Sequence, residues 1–153
     1  MAARVLVDAD SCPQRVRKYL LSRAKKNQIQ LYFIANKNIL EGQQEAPLPD
    51  NVKMIVRPQE DQAADKWILQ NAAPGDIAIT RDIPLAAALL QKNVRAMNDM
   101  GKVFDKKNIE RALKERELSM QMSQLGLGTK RRDSYGQKEF ELFAETFNKA
   151  LQA

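Results

Sequence analysis

The sequence predicts an α/β fold built on a mainly parallel sheet of about five strands with helices on both sides. Three observations carry this. Short β-branched and aliphatic runs alternate with segments of helical period, which is the signature of right-handed βαβ units. Glycine and proline punctuate the junctions between them. The 153 residues, 44% of them hydrophobic, suit one domain able to bury a core without staples.

Val5-Leu6-Val7 marks a buried strand over 4–8. Pro13 opens a helix to about 27, with Val16, Tyr19, Leu20 and Ala24 on one face and arginines and lysines on the others. Residues 29–35 read as a second strand, and 36–51, with Gly42, Pro47 and Pro49, as a surface connection. Residues 52–56 form a third strand closed by Pro58. A helix from Glu60 to Asn71 turns Ala64, Trp67 and Ile68 inward. The turn Pro74-Gly75-Asp76 leads into a fourth strand over 77–80. A short helix over 84–91 and a fifth strand over 94–97 follow, and Gly101 breaks the chain. Helical pattern over 106–124, in one or two pieces, carries one stripe of Ile109, Ala112 and Leu113 and another of Leu118, Met122 and Leu125. Residues 126–136, with Gly126, Gly128, Gly136 and the basic run Lys130-Arg131-Arg132, read as a mobile segment. The last helix, 137–151, repeats Phe140, Phe143, Ala144, Phe147 and Leu151 at the spacing of one face and is expected to dock on the core.

Composition removes several kinds of chemistry. The chain has no histidine, so histidine-based triads and histidine-built zinc sites are excluded. One cysteine permits no internal disulfide and fits a reducing compartment. The apolar run near the N-terminus is too short for a signal segment, and none approaches the length of a membrane span. A cytoplasmic protein without membrane attachment is expected. The net charge of +6 favours polyanionic partners, nucleic acid among them.

Against this basic background the acids stand out. Asp8-Ala9-Asp10 ends the first strand, and in extended chain the two carboxylates would point the same way with Cα atoms ~6.6 Å apart. Asp82, in Thr80-Arg81-Asp82, follows the fourth strand at the same edge. Asp61 and Asp65 lie a turn apart near the start of the helix after strand three. In parallel sheets ligands bind beyond the carboxyl ends of the strands, so Asp8, Asp10, Asp61, Asp65 and Asp82 converge on one rim. Oxygen ligands without His or Cys favour Mg2+ or Mn2+, which can lower the pKa of a bound water and neutralise charge on a phosphate. Each acid also has an ordinary reading. Asp82 suits an N-cap for the 84–91 helix, and Asp61 suits a positive helix N-terminus. Asp76 precedes its strand and reads as a turn residue.

Thr80 and Asn98, at strand ends, are candidate substrate contacts or plain strand-end and turn residues. Lys130, Arg131 and Arg132 are candidates to hold phosphates of a long substrate, or form a solvated charge run. Ser11 reads as a cap. Cys12 sits at a helix N-terminus, yet without His or a second Cys it reads as a small buried residue.

The segments Val7-Asp8-Ala9-Asp10-Ser11-Cys12-Pro13, Asp61-Gln62-Ala63-Ala64-Asp65-Lys66-Trp67-Ile68 and Thr80-Arg81-Asp82-Ile83-Pro84-Leu85-Ala86 resemble the bacterial YaiI/YqxD family, in order and over nearly the whole chain. That family looks like a branch of the PIN-like nucleases, which gather acids around magnesium or manganese and hydrolyse phosphodiesters. The resemblance implies a single PIN-like domain over 1–153 with a three-layer αβα sandwich. It matches Asp8, Asp10, Asp65 and Asp82 to the catalytic acids, with Asp61 a further metal ligand. Ser11 stands where alanine is usual, and Asn98-Asp99-Met100-Gly101 replaces Asn-Pro-Arg-Gly, which removes a basic residue from that turn.

The expectation is a nuclease dependent on Mg2+ or Mn2+ and acting on RNA. Two alternatives stand beside it. One is a haloacid-dehalogenase-like phosphatase, for which Asp-x-Asp after a first strand is the entry motif, with Asp8 as nucleophile and Asp10 as acid/base. Its later acids belong beyond a strand, whereas Gly75-Asp76 precedes one. The other is a non-catalytic RNA- or protein-binding module, because fold does not fix function.

Overall fold

A computed structural model describes residues 3–40, 48–57, 63–127 and 135–152. Six strands form one sheet: β1 (Ala3–Asp8), β2 (Ile29–Ala35), β3 (Val52–Val56), β4 (Ile77–Ile79), β5 (Arg95–Met97) and β6 (Val103–Phe104), in the order β3-β2-β1-β4-β5-β6. The first five are parallel, and β6 pairs antiparallel with β5 through Met97 opposite Val103 and Ala96 opposite Phe104. The sheet therefore has one strand more than the expected five. β6 has only two residues, too few to show alternation, and its place is set by the turn at Gly101 that folds it back on β5.

Helices cover both faces: α1 (Gln14–Lys25), α2 (Ala63–Asn71), α3 (Ile83–Gln91), α4 (Lys106–Gln124) and α5 (Gln137–Gln152). Alternation along the strands divides the core. Val5 and Val7 of β1 join Leu31 and Phe33 of β2, Val16 and Leu20 of α1 and Phe143 and Phe147 of α5. Leu6 points the other way, to Ala64 and Ile68 of α2 and Leu85 and Leu89 of α3. A smaller cluster, Ala86, Ala96, Phe104 and Ile109, ties α4 to α3 and the β5–β6 edge. The result is three layers. Phe143 and Phe147 are fully buried, stacked on one another at 5.6 Å, and edge-on to Tyr19 of α1.

Local corrections have local causes. The chain leaves extended geometry at Asp8, and Ala9–Ser11 form a 3₁₀ turn, so Asp8 and Asp10 are not the i, i+2 pair of a strand. Helix α4 is a single piece of 19 residues, started by a capping box in which Asp105 accepts from Lys107 and Asn108 N–H while Asn108 accepts from Asp105 N–H. Its second stripe, Leu118, Met122 and Leu125, lies exposed. No helix among the described residues is long and apolar enough to cross a membrane.

Candidate functional site

The strand order reverses direction between β1 and β4, since successive crossovers run outward from β1 to β3 on one side and from β4 to β5 on the other. Such a switch point opens a crevice beyond the carboxyl ends of the two central strands. Asp8 ends β1 there, and Thr80 and Asp82 follow β4. Asp76, at the other end of β4, is buried in an ion pair with Arg4 at 2.6 Å and takes no part in this rim.

Thr80 ties the two strand ends together. Its side chain is buried; its hydroxyl donates to Asp8 Oδ2 at 3.0 Å and accepts from the Asp82 N–H at 3.0 Å. Asp82 caps α3 as expected, Oδ1 accepting from Leu85 N–H at 2.9 Å with Pro84 in the first turn. The same carboxylate faces Asp65 in the first turn of α2 closely enough to raise its pKa. Asp10 is exposed, and both of its oxygens lie 3.1 Å from the Asn36 N–H. Asp65 and Asp82 line a shallow cleft of about 160 Å³ together with Lys66, Leu69, Pro84, Leu85 and Ala88.

The electrostatics show which acids sense one another. Burial pushes the Asp8 carboxyl up to about 6, against the Thr80 hydrogen bond that lowers it, and the charges of Asp10 and Asp82 raise it further. Asp65 is pushed up to about 7, first by burial, then by its hydrogen bond with Asp82 and by the charges of Asp82, Asp8 and Asp10. The four sequence-predicted acids Asp8, Asp10, Asp65 and Asp82 thus share one electrostatic neighbourhood. Among the described residues, no group of three or more His, Cys, Asp or Glu side chains is placed so that it could hold a metal ion. Asp61, Lys130, Arg131 and Arg132 lie outside the described residues.

Asn98 is buried at the end of β5. Its Oδ1 accepts from Met100 N–H at 3.0 Å and Lys102 N–H at 2.9 Å, so its carbonyl side closes the turn into β6. Burial pushes the Cys12 thiol up to about 12, with Asp99 and Asp8 adding to the shift, which suppresses the thiolate and keeps the side chain a packing group.

Two residues near the rim, Asp99 and Arg17, are not singled out by the sequence. Asp99 is almost fully buried and pairs with Arg81 at 2.8 Å, while its carbonyl accepts from the Tyr135 hydroxyl at 2.6 Å. Arg17 of α1 has a buried Nε with no hydrogen-bond partner among the described residues. Arg17 and Arg81 both act electrostatically on Cys12, as do Asp8 and Asp99, so cations and acids alike are felt at this thiol. Arg17 was hidden because α1 carries basic residues on every outward face. Asp99 was hidden because a lone acid after a strand reads as a turn former.

Residues 6–153 match the family described as "Uncharacterized BCR, YaiI/YqxD family". A UPF0178 protein of Treponema denticola is 35% identical over 97% of this chain and 91% of its own length. A UPF0178 protein of Psychromonas ingrahamii is 33% identical over 97% of this chain and 95% of its own. A solved structure described as a Rossmann-fold NAD(P)-binding family protein from Shigella flexneri aligns over 96% of this chain and 86% of its own at 15% identity and a TM-score of 0.46.

Proposed function

The chain belongs to the YaiI/YqxD family, and from that footing we propose that it is a PIN-like nuclease that uses Mg2+ or Mn2+ to hydrolyse phosphodiester bonds of RNA. One observation supports this above the others: four carboxylates from three separate segments lie within electrostatic reach of one another at the switch point of a parallel sheet, in a protein of net charge +6. Folding has raised the pKa of two of them, a cost that a divalent cation relieves.

The donor set fits such a cation. It is all oxygen, which favours magnesium or manganese over zinc. The charges of Asp82, Asp8 and Asp10 that raise the Asp65 carboxyl are the repulsion that a cation would offset. Since no closed cage exists among the described residues, one or two carboxylates would hold the ion together with water and substrate phosphate, the usual manner of magnesium. Asp8 and Asp65 are the principal ligands in this reading, Asp82 orients Asp65, and Thr80 holds Asp8. The bound ion supplies a water of lowered pKa and neutralises charge on the phosphate. Arg17 and Arg81, beside the rim, meet the remaining phosphate charge, and affinity for RNA falls with salt.

The test is a calorimetric titration of Mn2+ into the wild type and Asp8→Asn, alongside cleavage of RNA and DNA substrates. Wild type is expected to bind manganese and cut RNA, with at least a tenfold loss of both in the variant. Equal heats for the two proteins would refute the metal centre. Tight RNA binding without cleavage would favour a binding module, and a phosphate trapped covalently on Asp8 would favour the phosphatase.

A further inference from the structure

Helix α4 carries two apolar stripes on opposite sides. Ile109 and Ala112 are buried and Leu113 packs beside them, facing α3. At 100° per residue, Leu118, Met122 and Leu125 fall on the other side of the helix. They are 57%, 40% and 74% exposed, and every residue from Lys114 to Leu127 is exposed. No bending of α4 towards α3 brings this second stripe into the core, because it points away from it. Three unsupported turns of helix are marginal in water, and a contiguous apolar stripe marks a contact surface.

We propose that this stripe is the face through which two copies of the chain pair reversibly, α4 against α4 in antiparallel sense. Charge selects the occupant. The chain carries +6, so most surfaces of two copies repel. Residues 118–127 contain no charged side chain, and the four before them, Lys114-Glu115-Arg116-Glu117, sum to zero. Here a second copy approaches without like charges meeting. A two-fold axis between Gln121 and Met122 sets Leu118 of one copy opposite Leu125 of the other and brings the two Met122 side chains together at the axis. The stripe with Leu127 exposes on the order of 400 Å² per copy, so pairing buries on the order of 1,000 Å² with its polar flanks, the low end for specific interfaces. A weak, concentration-dependent dimer follows from that size.

Sedimentation velocity of the full chain from about 1 to 200 µM tests this range of affinity. The mass is expected to climb from 17.4 kDa towards twice that value. Leu118→Glu and Leu125→Glu should each hold it at the monomer with unchanged helical circular dichroism, although both lower the net charge and so reduce general repulsion. Leu142→Glu, at a 47% exposed leucine of α5, should dimerise like wild type. Should a glutamate variant fail to fold, Leu125→Ser makes the same comparison more gently. A wild type monomeric at every concentration overturns the proposal and leaves the stripe to the chain's own 128–134 segment or to another protein. Stripe variants that dimerise like Leu142→Glu overturn it equally.

Discussion

The Thr80 hydroxyl donates to Asp8 Oδ2 and accepts from the Asp82 N–H, each at 3.0 Å, so one buried side chain fixes the acids of two different strands. Thr80→Val keeps the shape and removes both bonds. It leaves the part-buried Asp82 N–H unpaired and takes the Thr80 donor from Asp8, at a cost of about 1–3 kcal/mol. Thr80→Ser, which keeps the oxygen, should recover most of that stability in thermal melts. Under the proposed function Thr80→Val also loses cleavage and Thr80→Ser retains it. Equal melting temperatures for Thr80→Val and wild type would show that the bonds carry no weight.

Asp8 and Asp65 make stability depend on pH. Both acids have a folded pKa above their ordinary 3.8, at about 6 and about 7. Below about 4 they are protonated whether or not the chain is folded. Between about 4 and 7 the unfolded chain ionises first, so stability falls as pH rises through this window, and the penalty is complete above it. Asp8→Asn should therefore stabilise the metal-free protein at pH 8 by about 1–3 kcal/mol, with no gain at pH 4. Asp65→Asn should act in the same sense, less strongly because Asp65 is more open to solvent. Manganese should raise the melting temperature of wild type at pH 8 more than that of either variant. A pH-independent difference between variant and wild type would rule out the strained acids.

Helix α4 rests on few contacts, so its cap should matter more than usual. Asp105→Ala removes the acceptor for the Lys107 and Asn108 N–H groups and one side of the capping box. The expected cost is about 1–2 kcal/mol. Amide exchange should quicken along 106–124 while α5, pinned by Phe143 and Phe147, keeps its protection. Uniform loss of protection across the chain would mean that α4 does not open on its own.

What could be read from the sequence was whatever has a period or a rule. Val5-Leu6-Val7 shows a buried strand, Phe140, Phe143 and Phe147 show a docking face, and the βαβ rule put Asp8 and Asp82 at one edge without any contact being known. What stayed hidden depends on single turns or on pairing across the chain. The 3₁₀ turn at Ala9–Ser11 rotates Asp10 out of strand register, and two residues of β6 carry no alternation. The bond from Thr80 to Asp8 spans 72 positions and leaves no local trace. The stripe of Leu118, Met122 and Leu125 was visible, but periodicity reports only that a face is apolar and not what it meets.

Gly101 is the residue through which the β6 turn and α5 approach. It adopts φ +87°, and a Cβ there would lie 2.6 Å from the Leu142 carbonyl oxygen, a backbone atom that cannot swing aside. Its own carbonyl accepts from the Thr146 hydroxyl at 2.9 Å, which draws α5 against the turn. Gly101→Ala therefore meets two penalties, the left-handed backbone and a steric clash, together about 2–4 kcal/mol. Gly75 separates them: it also has a positive φ, +95°, but a Cβ there meets nothing within 4 Å. Gly75→Ala should lose only the backbone part, about 1 kcal/mol. Urea unfolding of both variants measures the difference, which is the cost of pushing α5 off the turn. If Gly101→Ala is no worse than Gly75→Ala, the helix yields freely and the close packing of α5 on the turn contributes nothing to stability.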